Sequence, residues 1–222
     1  MPPLEGKTGE EMAIIFLIGA SCPYDGYVGH LKAIQEKVPY KLWVGLPHIV
    51  GDTPIPEGIG YYIDNMKSDL KENHGVNLTK YIYGGHSLGA SSIASWVQDN
   101  GDDALATFLW GAYVTHAVDD PAKNYRSPVL TVGGEFDGWM ARITRMAQAY
   151  DQMLSSSLGA TEARYRYPVV NIKGLNHATF LSGIPPPTVQ KTDLRASISL
   201  EDAIDKISDA VSSFIIVTQE GR

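Results

Sequence analysis

The stretch "YIYGGHSLGASS", Tyr81 to Ser92, decides the fold. An apolar run leads into Gly85-His86-Ser87-Leu88-Gly89, a match to G-x-S-x-G, and small residues follow at once. In that pattern a serine rides a sharp strand-to-helix turn that holds its hydroxyl out at the edge of a sheet. The pentapeptide alone is a moderate signal, so its surroundings must carry the reading.

Working outward, short apolar runs alternate with amphipathic segments almost to the chain end, the signature of a parallel sheet with crossover helices. Ala13–Gly19, Tyr40–Leu46, Lys80–Gly85, Ala106–Ala112, Ser127–Gly134 and Tyr167–Lys173 read as buried strands, six in all. Val28–Val38 reads as a helix with Leu31, Ile34 and Val38 on one face, and Tyr61–Glu72 as another with Ile63, Met66 and Leu70 inward. Leu88–Gln98, Met140–Leu154 and Leu200–Val217 complete the set, the last with Ile204, Ile207, Val211 and Phe214 on one stripe. Pro47–Gly60 is a loop rich in proline and glycine, and Asn176–Ser199, interrupted by Pro185–Pro187, is a second long loop expected over the site face. The segment between the strands near Leu109 and Leu130 is too short for a lid domain.

At 222 residues, 44% hydrophobic and 19% charged, the composition suits one α/β domain over 1–222. A net charge of -7 without a basic run argues against a nucleic-acid surface and leaves small molecules as the easier partners. Cys22 is the only cysteine, so no intrachain disulfide is possible. The start lacks a signal-peptide pattern and the longest apolar run, Ala13–Ile18, cannot span a bilayer, so a soluble protein is expected, with a cytoplasmic location favoured. Oligomeric state is not legible. Gly6-Lys7-Thr8 and Gly58-Ile59-Gly60 imitate phosphate and dinucleotide motifs but lack the required glycines and leading strands, and no metal-ligand spacing occurs; no cofactor and no metal are expected.

A serine hydroxyl needs a histidine to take its proton, and the histidine needs a carboxylate to fix its tautomer. Strand C-termini of a parallel sheet share one edge, so groups that follow different strands meet there. Ser87 follows "YIYGG", Asp137 follows "VLTVGGEF" and His177 follows "VVNIKGLN". Glu135 is a rival to Asp137, which is favoured because Glu135 falls where the chain is still leaving its strand. Among the other histidines, His86 should point away from Ser87 and bond or pack locally. His48 sits in the first long loop, and His30, His74 and His116 read as surface residues. Developing negative charge on the reacting oxygen needs backbone N–H donors, and position offers Leu88 and, after the first strand, Ala20, with Ser21 as the alternative. Cys22 reads as a buried inert thiol.

On "GGHSLGA", "GGEFDG" and "GLNHATF" the chain resembles the α/β-hydrolase superfamily, and more narrowly a cap-less serine esterase-like group related to the dienelactone-hydrolase-like branch. The likeness runs from Ala13 onward. It implies a minimal, roughly six-stranded α/β-hydrolase fold without a lid. It also implies Ser87 as nucleophile, Asp137 as acid, His177 as base, Ala20 and Leu88 as the oxyanion hole, and a small-molecule ester as substrate. Thioesterase, amidase and non-catalytic ligand-binding roles share these features. The stretch before Ala13 is too short for the two extra strands of the full fold. The elbow holds serine where dienelactone hydrolases proper hold cysteine.

Overall fold

The computed structural model describes residues 1–114 and 118–221, so His116 lies outside the described residues. Six strands form one parallel sheet: β1 (Glu11–Leu17), β2 (Lys41–Gly45), β3 (Tyr81–His86), β4 (Ala104–Trp110), β5 (Val129–Gly134) and β6 (Val169–Ile172). Their order is β2-β1-β3-β4-β5-β6. All six residues of β3 and of β5 are buried, which is why these strands read as nearly continuous apolar or glycine runs rather than as alternations.

Eight helices follow among the described residues: α1 (Val28–Lys37), α2 (Ile59–His74), α3 (Ser87–Asn100), α4 (Pro121–Asn124), α5 (Ile143–Leu154), α6 (Ala160–Arg166), α7 (Pro187–Thr192) and α8 (Leu200–Glu220). The chain steps outward from β1 through α1 to β2, then back through α2 to β3 beside β1. With right-handed crossovers, this reversal sends α1 and α2 to opposite faces. On the α1 face α8 packs against α1 and spreads over β4 to β6, while α3 packs on α2 and on β3 and β4. Helix ends follow local chemistry. Gly75 takes the left-handed conformation (φ 69°) that closes α2, and Ser199 Oγ accepts the Asp202 N–H at 3.0 Å to open α8.

Most elements lie within a few residues of their sequence-based bounds, but three short helices, α4, α6 and α7, were not expected. The loop after β2 holds only two short 3-10 turns, Val50–Asp52 and Pro56–Gly58. His30 corrects the surface reading. It lies on the inward face of α1 with Leu31 and Ile34, is fully buried, has its ring tilted against that of Trp110 with centroids 5.8 Å apart, and places Nε2 3.3 Å from the Thr179 carbonyl. His74 is exposed, as expected.

The sheet order places the reversal between β1 and β3, the position at which the carboxyl ends of parallel strands diverge and leave a crevice. Ser87 stands directly after β3 and Ala20 shortly after β1, on the two sides of that crevice.

Candidate active site

The elbow is built by close approach. Ser87 holds φ at +53°, a left-handed value that costs a non-glycine residue roughly 1–2 kcal/mol. The glycines on either side let the turn close. A Cβ on Gly85 would stand 2.7 Å from the Ala90 nitrogen, and one on Gly89 would stand 2.2 Å from the Ile18 carbonyl oxygen. The G-x-S-x-G spacing therefore records two steric requirements, α3 against its own entry turn and α3 against the end of β1.

Three side chains from three strand ends meet at this turn. His177 Nε2 lies 2.8 Å from Ser87 Oγ, and His177 Nδ1 lies 2.7 Å from Asp137 Oδ2. All three residues are buried. The second carboxylate oxygen, Asp137 Oδ1, accepts the Trp139 N–H at 2.8 Å, so the group serves the histidine and its own turn together. Glu135, the sequence rival, is occupied elsewhere, its Oε2 accepting the Gly174 N–H at 2.9 Å. Asn176 stiffens the histidine turn: its Oδ1 accepts the Thr179 N–H at 3.0 Å and its Nδ2 donates to the Leu194 carbonyl at 2.8 Å.

His86 points away from Ser87. The Tyr27 hydroxyl accepts the Gly19 N–H at 3.0 Å and lies 2.8 Å from His86 Nδ1, which links the turn after β1 to the residue preceding the serine. Tyr27 carried no motif, and only its place at the entry of α1 hints at it. The His86 ring stands 4.7 Å from that of His177, and burial holds its pKa well below the usual histidine value. Burial likewise lowers His30 to about 4.

These two histidines make the fold sensitive to acid. Below the unfolded-state value near 6.5 the unfolded chain takes up protons that the buried rings refuse. The stability is therefore complete above that pH; for His30 it is lost as pH falls towards 4, and for His86, whose pKa burial also holds well below the ordinary value, the loss sets in as pH falls below the ordinary value. His30 alone accounts for about 3 kcal/mol across that interval. We expect the unfolding temperature to drop markedly between pH 7.5 and pH 5, and His30→Gln to flatten the drop. Equal slopes for wild type and variant in calorimetry would contradict this account.

Leu88 lies in the first turn of α3, where a backbone N–H has no partner within the helix. Ala20 lines the cavity above Ser87. The Ser21 N–H is engaged by the Asp52 carbonyl at 2.7 Å, so the sequence alternative to Ala20 has lost its donor. The cavity is small, about 90 Å³, with Ala20, Cys22, Trp139, Leu181 and Val189 among its walls. Met140 Sδ lies 3.6 Å from Ser87 Oγ. Cys22 is buried and its thiol pKa is raised by that burial, which fits an inert wall group. His48 is exposed and stands edge-on to Tyr24, with ring centroids 6.0 Å apart. A larger depression of about 410 Å³ lies at the opposite end of the sheet beside Leu105 and Pro128, away from Ser87. Among the described residues no cluster of metal-ligating side chains occurs, and no helix is long and apolar enough to cross a membrane.

This fold, with a serine on a tight turn at the sheet reversal, defines a class of proteins. The chain belongs to the alpha/beta hydrolase family, whose model matches residues 14–205. Among solved structures, esterase PE8 superposes with a TM-score of 0.57 at 13% identity, over 94% of this chain and 94% of the other. An esterase of Pyrococcus furiosus gives 0.54 at 11% identity, over 93% and 83%. SOBER1 of Arabidopsis thaliana gives 0.52 at 13% identity, over 94% and 99%. At such identities the likeness is one of fold. A search of curated proteins found no match to the sequence.

Proposed function

We propose that this chain is a single-domain serine hydrolase that cleaves small carboxylic esters through an acyl-enzyme. The observation that carries the reading is the unbroken hydrogen-bonded line from Ser87 Oγ through His177 to Asp137 Oδ2. In this mechanism His177 takes the Ser87 proton as Oγ attacks the ester carbonyl, and Asp137 stabilises the imidazolium that forms. The N–H groups of Leu88 and Ala20 receive the oxyanion. His177 then returns the proton to the departing alcohol. Water, deprotonated by His177 in turn, releases the acid and restores Ser87.

The size of the cavity supports a short acyl group. At about 90 Å³ it is well below the roughly 300–1,000 Å³ of sites that enclose drug-sized ligands. We expect kcat/KM on p-nitrophenyl esters to be greatest for acetate to butyrate and to fall by at least about tenfold at octanoate. The same panel should include a thioester and an amide of the preferred acyl group. Rates rising towards long acyl chains would refute the short-chain reading, and a faster thioester or amide would replace the ester assignment. Absence of turnover together with absence of fluorophosphonate labelling at Ser87 would favour a non-catalytic binding role.

A further inference from the structure

Asp137 and His177 come from loops that leave different strands, β5 and β6, and a third segment stitches those loops together. Asp193, at the C-terminal end of α7, uses one carboxylate oxygen on each loop: Oδ1 accepts the Gly138 N–H at 2.9 Å and Oδ2 accepts the Ala178 N–H at 2.8 Å. Each of those amides belongs to the residue directly after a member of the Ser87–His177–Asp137 line.

The surroundings are shaped for this contact. A Cβ on Gly138 would come within 1.8 Å of the Thr192 carbonyl oxygen, so the acid loop can lie against the end of α7 only because glycine stands there. The Leu194 N–H donates to the Phe136 carbonyl at 3.3 Å, and Asn176 Nδ2 donates to the Leu194 carbonyl at 2.8 Å. Asp193 and Leu194 are thus each bonded to both loops.

Asp193 is half-buried and, among the described residues, forms no ion pair with Lys or Arg. Burial raises its pKa despite the two amide bonds, and the charges that act on it are those of His177 and Asp137. The cation that would complement it is the imidazolium formed on His177 during proton transfer. The other titratable group against that ring is His86, held neutral by burial.

We propose that Asp193 is a positioning residue for the reaction, clamping the Asp137 and His177 loops at the separation that proton transfer from Ser87 requires. This rests on the serine-hydrolase reading above. The side chain does not line the cavity, so its loss should lower kcat and leave KM unchanged.

The decisive experiment compares wild type, Asp193→Asn and Asp193→Ser. The readouts are ester kinetics normalised to fluorophosphonate-labelled Ser87, and the downfield His177 Nδ1–H proton resonance in histidine-labelled protein. We expect kcat to fall about ten- to a hundredfold with KM unchanged, and the resonance to broaden or vanish. A wild-type resonance and wild-type kcat in either folded variant would overturn the proposal. So would a lowered unfolding temperature accompanied by unchanged kcat per labelled site, since that is the mark of a purely structural bond. If Asp193→Asn does not fold, Asp193→Ser, which keeps one acceptor and removes the charge, decides on the same criteria. Should wild type turn over no ester, the hydrolase reading fails by itself, while the resonance still decides whether Asp193 sets the His177–Asp137 contact.

Discussion

Ser87→Ala is expected to reduce ester turnover by about five orders of magnitude, to a residue supplied by oxyanion donors and binding alone. The substitution removes one oxygen, the atom 2.8 Å from His177 Nε2, and leaves the glycine contacts that build the turn. Its effect on stability should therefore be small, because the left-handed backbone at this position is equally strained in either residue. The variant should also take up no fluorophosphonate. Turnover by Ser87→Ala at the wild-type rate would end the proposed mechanism.

Asp137→Asn should cost about four orders of magnitude in kcat. The amide oxygen can keep the Trp139 N–H bond, but the amide nitrogen cannot accept from His177 Nδ1. The imidazole then turns its proton towards Ser87 and can no longer receive one. Glu135→Gln is the matched control: its amide oxygen still accepts the Gly174 N–H, and kcat should stay within about threefold of wild type. A large loss in Glu135→Gln with little in Asp137→Asn would reverse the assignment of the acid.

The alternation of apolar runs and amphipathic segments made the parallel sheet legible, because strands buried on both faces carry few polar residues to break the run. The same logic placed Ser87, Asp137 and His177 at three strand ends, and the structure brings their side chains within hydrogen-bond distance. What escaped was short or tertiary. Helices α4, α6 and α7 span only 4 to 7 residues, too few for a 3.6-residue period to show, although Pro121 and Pro187 at their starts are helix-entry signals. His30 was recoverable, since it sits four residues before Ile34 and three after Tyr27, on the stripe that α1 buries. Asp193 was not. Its partners lie 15 and 55 residues away in the chain and are backbone amides, which leave no trace in side-chain pattern.

The double close approach at the elbow also bears on how this protein can change over generations. Any side chain at Gly85 or Gly89 must displace backbone, so a single replacement there disturbs the seating of α3 on the sheet and the aim of Ser87 in one stroke. Robustness and catalysis cannot be traded against each other at these positions, whereas the cavity walls Leu181 and Val189 lie outside that turn. Divergence towards new substrates should therefore accumulate at such wall positions and leave the turn after β3 invariant.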